Sequence, residues 1–418
     1  MSGIEEVSGD GGVRDDPGLA PFEGGGRAIL WGLVIGVIGL GLVIIGATID
    51  PRQAAFSYLM AFIFWHTIAF GALVHLMIQH AINASWAIVL RRVGEGVATT
   101  FPILLILALP LTIGLDLIFP WTEPVGALPD HPDLRARIVH RGAYLNTTFF
   151  YLRAGAYFAV WILIAWLLQR WTLRQFEMDG GPGGPRGRSL AQAQRVLSAL
   201  TLPLMAFVIT FAAIDWVMSL EPEWSSTILG VYYYAGSALA FTAVLTLLSL
   251  AVQRAGYLEG IVTLSHYHAL GKLMLVFVSL WGYFAFVQLL LIWLADIPRE
   301  VEWFVVRTAG SWKVGAWILV LGHFGLSFFA LLSWRAKRHR TSLAIISIWI
   351  ITMHFIDIYW LIMPALYPGG ARPHWLDLTS LLGIGGLLLA YGVWRFRGRP
   401  VAPVGDPRYE RSLTFYTT

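Results

Sequence analysis

The chain has 418 residues, of which 57% are hydrophobic and 13% charged, and a net charge of +4. That balance excludes an ordinary soluble domain and gives no basis for nucleic-acid binding. The absence of cysteine excludes thiolate-held iron–sulfur clusters and thioether-linked haem from this chain.

Residues 1–27 are polar, glycine-rich and acidic (Glu5, Glu6, Asp10, Asp15, Asp16), and read as a disordered tail rather than a basic-led signal peptide. Ten apolar segments follow, at 28–47, 54–79, 96–118, 143–168, 196–219, 227–252, 269–294, 312–333, 342–363 and 377–396. Most reach the ~20 residues that a helix needs to cross a bilayer. The fold class is therefore an all-α polytopic membrane protein with both ends on one side. That side carries most of the loop arginines, including Arg91, Arg92 and the basic run at 334–341, so both ends are expected in the cytoplasm. The Gly/Pro stretch 178–188 reads as a flexible linker. The outer loops at 119–142 and 295–311 read as docking surfaces for a partner outside the membrane.

Helices two to five and six to nine correspond, most clearly at Asp215 in helix five and Asp357 in helix nine. A weaker match sets RRVGEG around Glu95 against HALGKL around Lys272. The expected organisation is a tail (1–27), a first flanking helix (28–53), two four-helix bundles (54–226 and 227–366), and a last flanking helix with its tail (367–418). The halves are expected to be parallel repeats about an axis along the membrane normal.

Ionisable groups are expensive inside a bilayer, so each needs a reason to be there. His75, Glu95, His268 and Lys272 fall near the cytoplasmic ends of their helices, and His66 and His323 near mid-membrane. Arg153, Asp215, His354 and Asp357 fall in the outer half. Together they form a ladder of titratable groups, readable either as ion pairs that lock helices or as a proton path. Glu95 with Lys272, and Arg153 with Asp215 or Asp357, are the natural pairs. His354 and Asp357 share a face at i, i+3. No partner helix offers a matched histidine pair for haem. The HYH at 266–268 reads as an interface pair, and no metal-ligand pattern converges. Tyr232, Tyr233, Tyr234, Trp216 and Trp224 would serve as quinone walls or as an ordinary aromatic belt.

Four stretches, DWVMSLEPEWSSTILGVYYYAGS, HYHALGKLML, LADIPREVEWFVVRTAGSW and HFIDIYWLIMPALYP, are similar to the ActF-type membrane subunit of bacterial alternative complex III, a quinol:cytochrome c oxidoreductase. They span most of residues 205–365, and the first half matches only in helix pattern and its RRVGE element. The resemblance implies the NrfD/PsrC-like fold of two four-helix bundles. It implies partners: a sister NrfD-like membrane subunit, an iron–sulfur subunit and multihaem cytochrome c subunits. It also implies that the haem and clusters sit in those partners, with quinone or bound lipid left open for this chain. Quinol oxidation is then an activity of the complex, with this chain a non-catalytic or quinone-binding subunit of the bacterial cytoplasmic membrane. The competing readings are a quinol-oxidising anchor of another respiratory reductase, a pure scaffold, and a secondary transporter. A transporter would show broken helices at matching positions. Pro102 and Pro110 interrupt helix three, but helix seven has no matching proline.

Overall fold

The computed structural model describes residues 17–122, 132–176 and 184–417. Ten helices are long and apolar enough to span a membrane: one (Gly26–Ile49), two (Pro51–Ala81), three (Ile88–Ile113), four (Thr147–Arg174), five (Pro185–Leu220), six (Leu229–Arg254), seven (Leu264–Ala295), eight (Trp312–Leu332), nine (Arg340–Ala365) and ten (Trp375–Phe396). The protein is an all-α polytopic membrane protein, with no strand among the described residues.

Local chemistry sets the helix starts. Asp50 caps helix two by accepting from Gln53 N at 3.0 Å, and Pro51 occupies a first-turn position where no N–H is needed. Asn146 caps helix four through Phe149 N at 2.9 Å. Helix three is two pieces, Ile88–Ala98 and Phe101–Ile113, parted at Thr99 and Thr100 ahead of Pro102. Both threonine hydroxyls turn back to backbone carbonyls, Thr99 to Glu95 and Thr100 to Val97, so neither hydroxyl donor is left unpaired at the break.

Helices two and six form the centre. Each packs on the second and fourth helix of its own half, and they pack on one another. Their approach is close enough that a Cβ on Gly71 would sit 2.3 Å from the Ser237 carbonyl oxygen, so glycine is required there. Helices one and ten pack together outside the bundles through small residues. A Cβ on Gly39 would lie 2.7 Å from Gly383 Cα. In a bilayer, where apolar burial gives helices little reason to associate, such close backbone packing holds them together.

The two chain ends meet on one face. Phe22 N donates to Arg399 O at 3.0 Å and Gly398 N to Phe22 O at 2.9 Å. Phe22 is buried against Tyr257 and Phe396. Thus residues 17–27, read as part of a disordered tail, are instead ordered by this apolar anchor; 1–16 lie outside the described residues. The C-terminal stretch is also packed down. Asp406 accepts from Arg91 at 2.6 Å and from Arg408 at 2.8 Å, and Ser412 Oγ donates to Trp86 O at 3.1 Å. Burial alone would raise the Asp406 carboxyl, but Arg91 and Arg408 outweigh it and hold it well below the usual carboxylate range.

The remaining loops differ in part from expectation. Pro185–Arg188, at the end of the expected linker, form the first turn of helix five, with proline again at an N-terminal position. Residues 177–183 of it lie outside the described residues. The 295–311 loop contains a helix, Pro298–Thr308, that folds onto the turn after helix five. Trp303 stacks on Trp224 at 4.2 Å, and Arg307 pairs with Glu221 at 2.6 Å. Burial lowers the Arg307 guanidinium even with Glu221 opposing the effect. From the 119–142 loop, Arg141 donates to Pro222 O at 2.8 Å, while residues 123–131 lie outside the described set.

Candidate functional site

Asp215 and Asp357 occupy comparable positions in helices five and nine, at the end of the molecule away from the chain termini. Both are 1% exposed, yet they are held in different ways. Arg153 grips Asp215 with two parallel bonds, Nε to Oδ2 and Nη2 to Oδ1, each 2.8 Å. Tyr157, one turn along the same face of helix four, donates its hydroxyl to Oδ2 at 2.8 Å. The guanidinium also donates to Tyr144 O at 2.9 Å and lies 3.8 Å from the centre of the Tyr144 ring. Charge, hydrogen bonds and cation–π contact are thus all satisfied, so this is a locked pair.

No cation pairs with Asp357 among the described residues; its oxygens accept only neutral donors. Trp281 Nε1 of helix seven donates to Oδ2 at 3.0 Å, and the Tyr232 hydroxyl of helix six donates to Oδ1. His354, one turn earlier on helix nine, meets Thr67 Oγ1 of helix two at 2.9 Å through Nε2. His323 stacks on Trp281 with ring centres 4.1 Å apart. It lies in a π-helical stretch, Leu319–Leu326, in the middle of helix eight, a wide turn of the kind often found at functional positions. Gly236 of helix six makes room for these rings: a Cβ there would stand 3.3 Å from His354 Cε1 and 3.6 Å from Trp281 Cδ1. Both His323 ring nitrogens and His354 Nδ1 lack a hydrogen-bond partner among the described residues. An ionised carboxylate is expensive in such surroundings, and taking up a proton removes that expense. The arrangement can hold either form of the acid, because a protonated carboxyl retains acceptor capacity for both neutral donors.

The other candidates fall into separate groups rather than one ladder. His66, next to Thr67, meets the Tyr233 hydroxyl at 3.2 Å through Nδ1 and is walled by Trp161 and Trp216. His75, nine residues on and so about 13.5 Å along helix two, bonds the Gln79 amide. His268 is buried near the Trp334 ring. His266 of the HYH caps its own helix with Thr263 and reaches Ser412 O at 3.1 Å through Nε2.

The expected Glu95–Lys272 pair does not form. Glu95 is buried with Arg92, with Arg91 at 3.6 Å, and with the Thr172 hydroxyl at 2.7 Å. Those arginines lie three and four residues back on the same helix, so the counter-charge is local. Lys272 is exposed and bonds Thr417 of the C-terminal stretch.

Sequence reasoning missed Tyr157, Trp281, Thr67 and the π stretch. It noticed Tyr232 and Tyr233 only as aromatic walls, whereas their hydroxyls reach Asp357 and His66. Tyr157 carried a readable signal in its four-residue spacing from Arg153. Trp281 carried none, since its partner lies two helices away. Among the described residues no group of His, Asp and Glu is placed to hold a metal ion. No family model matches this chain, and no curated protein matches its sequence.

Proposed function

We propose that this chain is an integral subunit of a quinol:cytochrome c oxidoreductase of the alternative complex III kind, in which it braces the complex and carries protons across part of the bacterial cytoplasmic membrane. The membership rests on the resemblance of the four stretches within residues 205–365. The cytoplasmic placing of both ends rests on the arginine-rich loops. Quinol oxidation belongs to the assembled complex, with clusters and haems in the partner subunits.

The proton role rests on one observation: Asp357 is buried with a neutral hydrogen-bond donor on each oxygen and, among the described residues, no paired cation. An acid so placed can change protonation state without breaking an ion pair. Asp357 takes a proton on a carboxyl oxygen and gives it back, while Tyr232 and Trp281 fix the carboxyl plane. The His354 and His323 imidazoles, which flank it on helices nine and eight, supply nitrogens able to accept and return a proton. Arg153–Asp215 and the Arg91–Arg92–Glu95 cluster perform the bracing.

The test is the complex purified through a tag on this chain, with Asp357→Asn, reconstituted in liposomes. The variant keeps the size and most of the hydrogen bonding of the side chain, its amide oxygen still able to accept from Trp281, but cannot release a proton. Electron transfer is expected to continue while proton translocation falls severalfold. Loss of assembly would favour a purely structural role, and unchanged translocation would remove Asp357 from the route.

A further inference from the structure

A cleft of about 460 Å³ opens between helices one and ten on one side and helices two, three and six on the other. Its walls include Trp65, Gly96, Leu248, Leu389, Val393 and Phe396, and almost all of its surface is apolar. Phe22, Val252 and Phe396 place its end at the face where both chain termini meet. Nothing in the walls offers polar recognition, so the part of a ligand that enters is a hydrocarbon chain.

Charge at that end says what the chain is attached to. Arg92 lies 5.8 Å from the centre of the Phe396 ring, and Arg399 pairs through its backbone with Phe22; both aromatic residues line the cleft. Arg395 is one residue before Phe396. Glu95, which acts on Arg399, is already bonded to Arg92 and lies near Arg91, and no ion pair of Arg395 or Arg399 is found among the described residues. Arg395 reaches Gln169, but its Nε has no acceptor, and neither does Nη1 of Arg399, among the described residues. Burial, and then repulsion from Arg395 and Arg92, lowers the Arg399 guanidinium. Arginines that need only satisfy the charge bias of cytoplasmic loops would spread into water. These gather beside one another at the rim of an apolar cleft.

We infer that the cleft and this arginine rim form a site for an anionic phospholipid of the leaflet on the termini side, with one acyl chain in the cleft and the phosphate on Arg395 and Arg399. Such basic pockets between membrane helices suit anionic headgroups. The site is separate from Asp357 and does not depend on the proton role.

The test compares phosphatidylglycerol with phosphatidylcholine of identical acyl chains, each exchanged into the detergent-purified full chain, with retained lipid counted by mass spectrometry. The wild type is expected to retain the anionic lipid about tenfold better. The R395Q/R399Q variant should lose that preference while still retaining some of either lipid. Gly96→Leu should reduce both, because a Cβ at Gly96 meets nothing closer than Phe396 at 4.0 Å and a larger side chain would fill the cleft. Equal retention of the two lipids by the wild type would overturn the inference. So would a preference unchanged by R395Q/R399Q, or a purified chain that holds quinone rather than phospholipid in the cleft. The wild-type comparison decides the matter even if a variant fails to fold.

Discussion

Asp215 in helix five and Asp357 in helix nine are equally buried, yet among the described residues one is tied to an arginine and the other only to a tyrosine and a tryptophan. The difference lies in the neighbouring helix. Helix four brings Arg153 to Asp215, whereas the third helix of the second half brings His323, carried on a π turn and stacked on Trp281. An ion pair fixes its acid in one protonation state, and neutral donors do not. On the proposed function, the arginine-held acid braces its helices and the acid held by neutral donors exchanges a proton.

The largest expected effect comes from breaking the lock. Arg153→Met leaves Asp215 buried without its counter-charge, a loss of ~3–5 kcal/mol, to be read as thermal unfolding in detergent. Asp357→Asn should cost less than that in the same assay, about 1–2 kcal/mol. Equal losses would dissolve the contrast between the two acids.

Asp406 offers a third acid for comparison, also arginine-held but outside the membrane. Its folded carboxyl lies below its unfolded value, so the stability it contributes is present above the unfolded range and is lost only as pH falls through the folded one. Attachment of the C-terminal stretch should therefore stay constant from pH 8 to pH 5, both values chosen above the ~3.9 of a free Asp. Asp406→Asn should weaken attachment by about 2 kcal/mol across that range, seen as faster tryptic cleavage at Arg411. Attachment that titrates near neutrality in the wild type would contradict the arginine hold.

Gly71→Ala should push helix two from helix six, at about 1–3 kcal/mol. Infrared or NMR probes are expected to register the change at the Thr67–His354 contact and not at Arg153–Asp215. A disturbance confined to the Asp215 side would mean that the central packing does not shape the Asp357 site.

Much of this was legible in the chain. Ten apolar runs announce ten helices, and acids within two of them, Asp215 and Asp357, announce positions that need explaining. Arg153 lies at a depth that suits either Asp215 or Asp357, and the packing of helix four on helix five selects Asp215. The local capture of Glu95 was also present, in the three- and four-residue spacing from Arg92 and Arg91, but the repeat drew attention to Lys272 instead. The Asp357 environment was not legible, because Trp281 and Tyr232 are common membrane residues and only packing turns their polar tips inward. The π turn at His323 carries no proline, and its flanking Gly322 and Gly325 do not by themselves announce a π turn. It exists where helix eight adjusts to its neighbours. The order of residues 17–27 depends on Phe22 finding Tyr257 and Phe396, contacts that composition cannot reveal.

The contrast between lock and carrier is tested most directly by one side-by-side measurement of proton translocation in liposomes holding the purified complex. The first variant is Asp357→Asn. The second replaces the locked pair by apolar residues, R153M/D215L, which removes both charges together and so avoids stranding either one. Translocation close to wild type in R153M/D215L with severalfold loss in Asp357→Asn is the expected result. Loss in R153M/D215L, with normal translocation in Asp357→Asn, would contradict it.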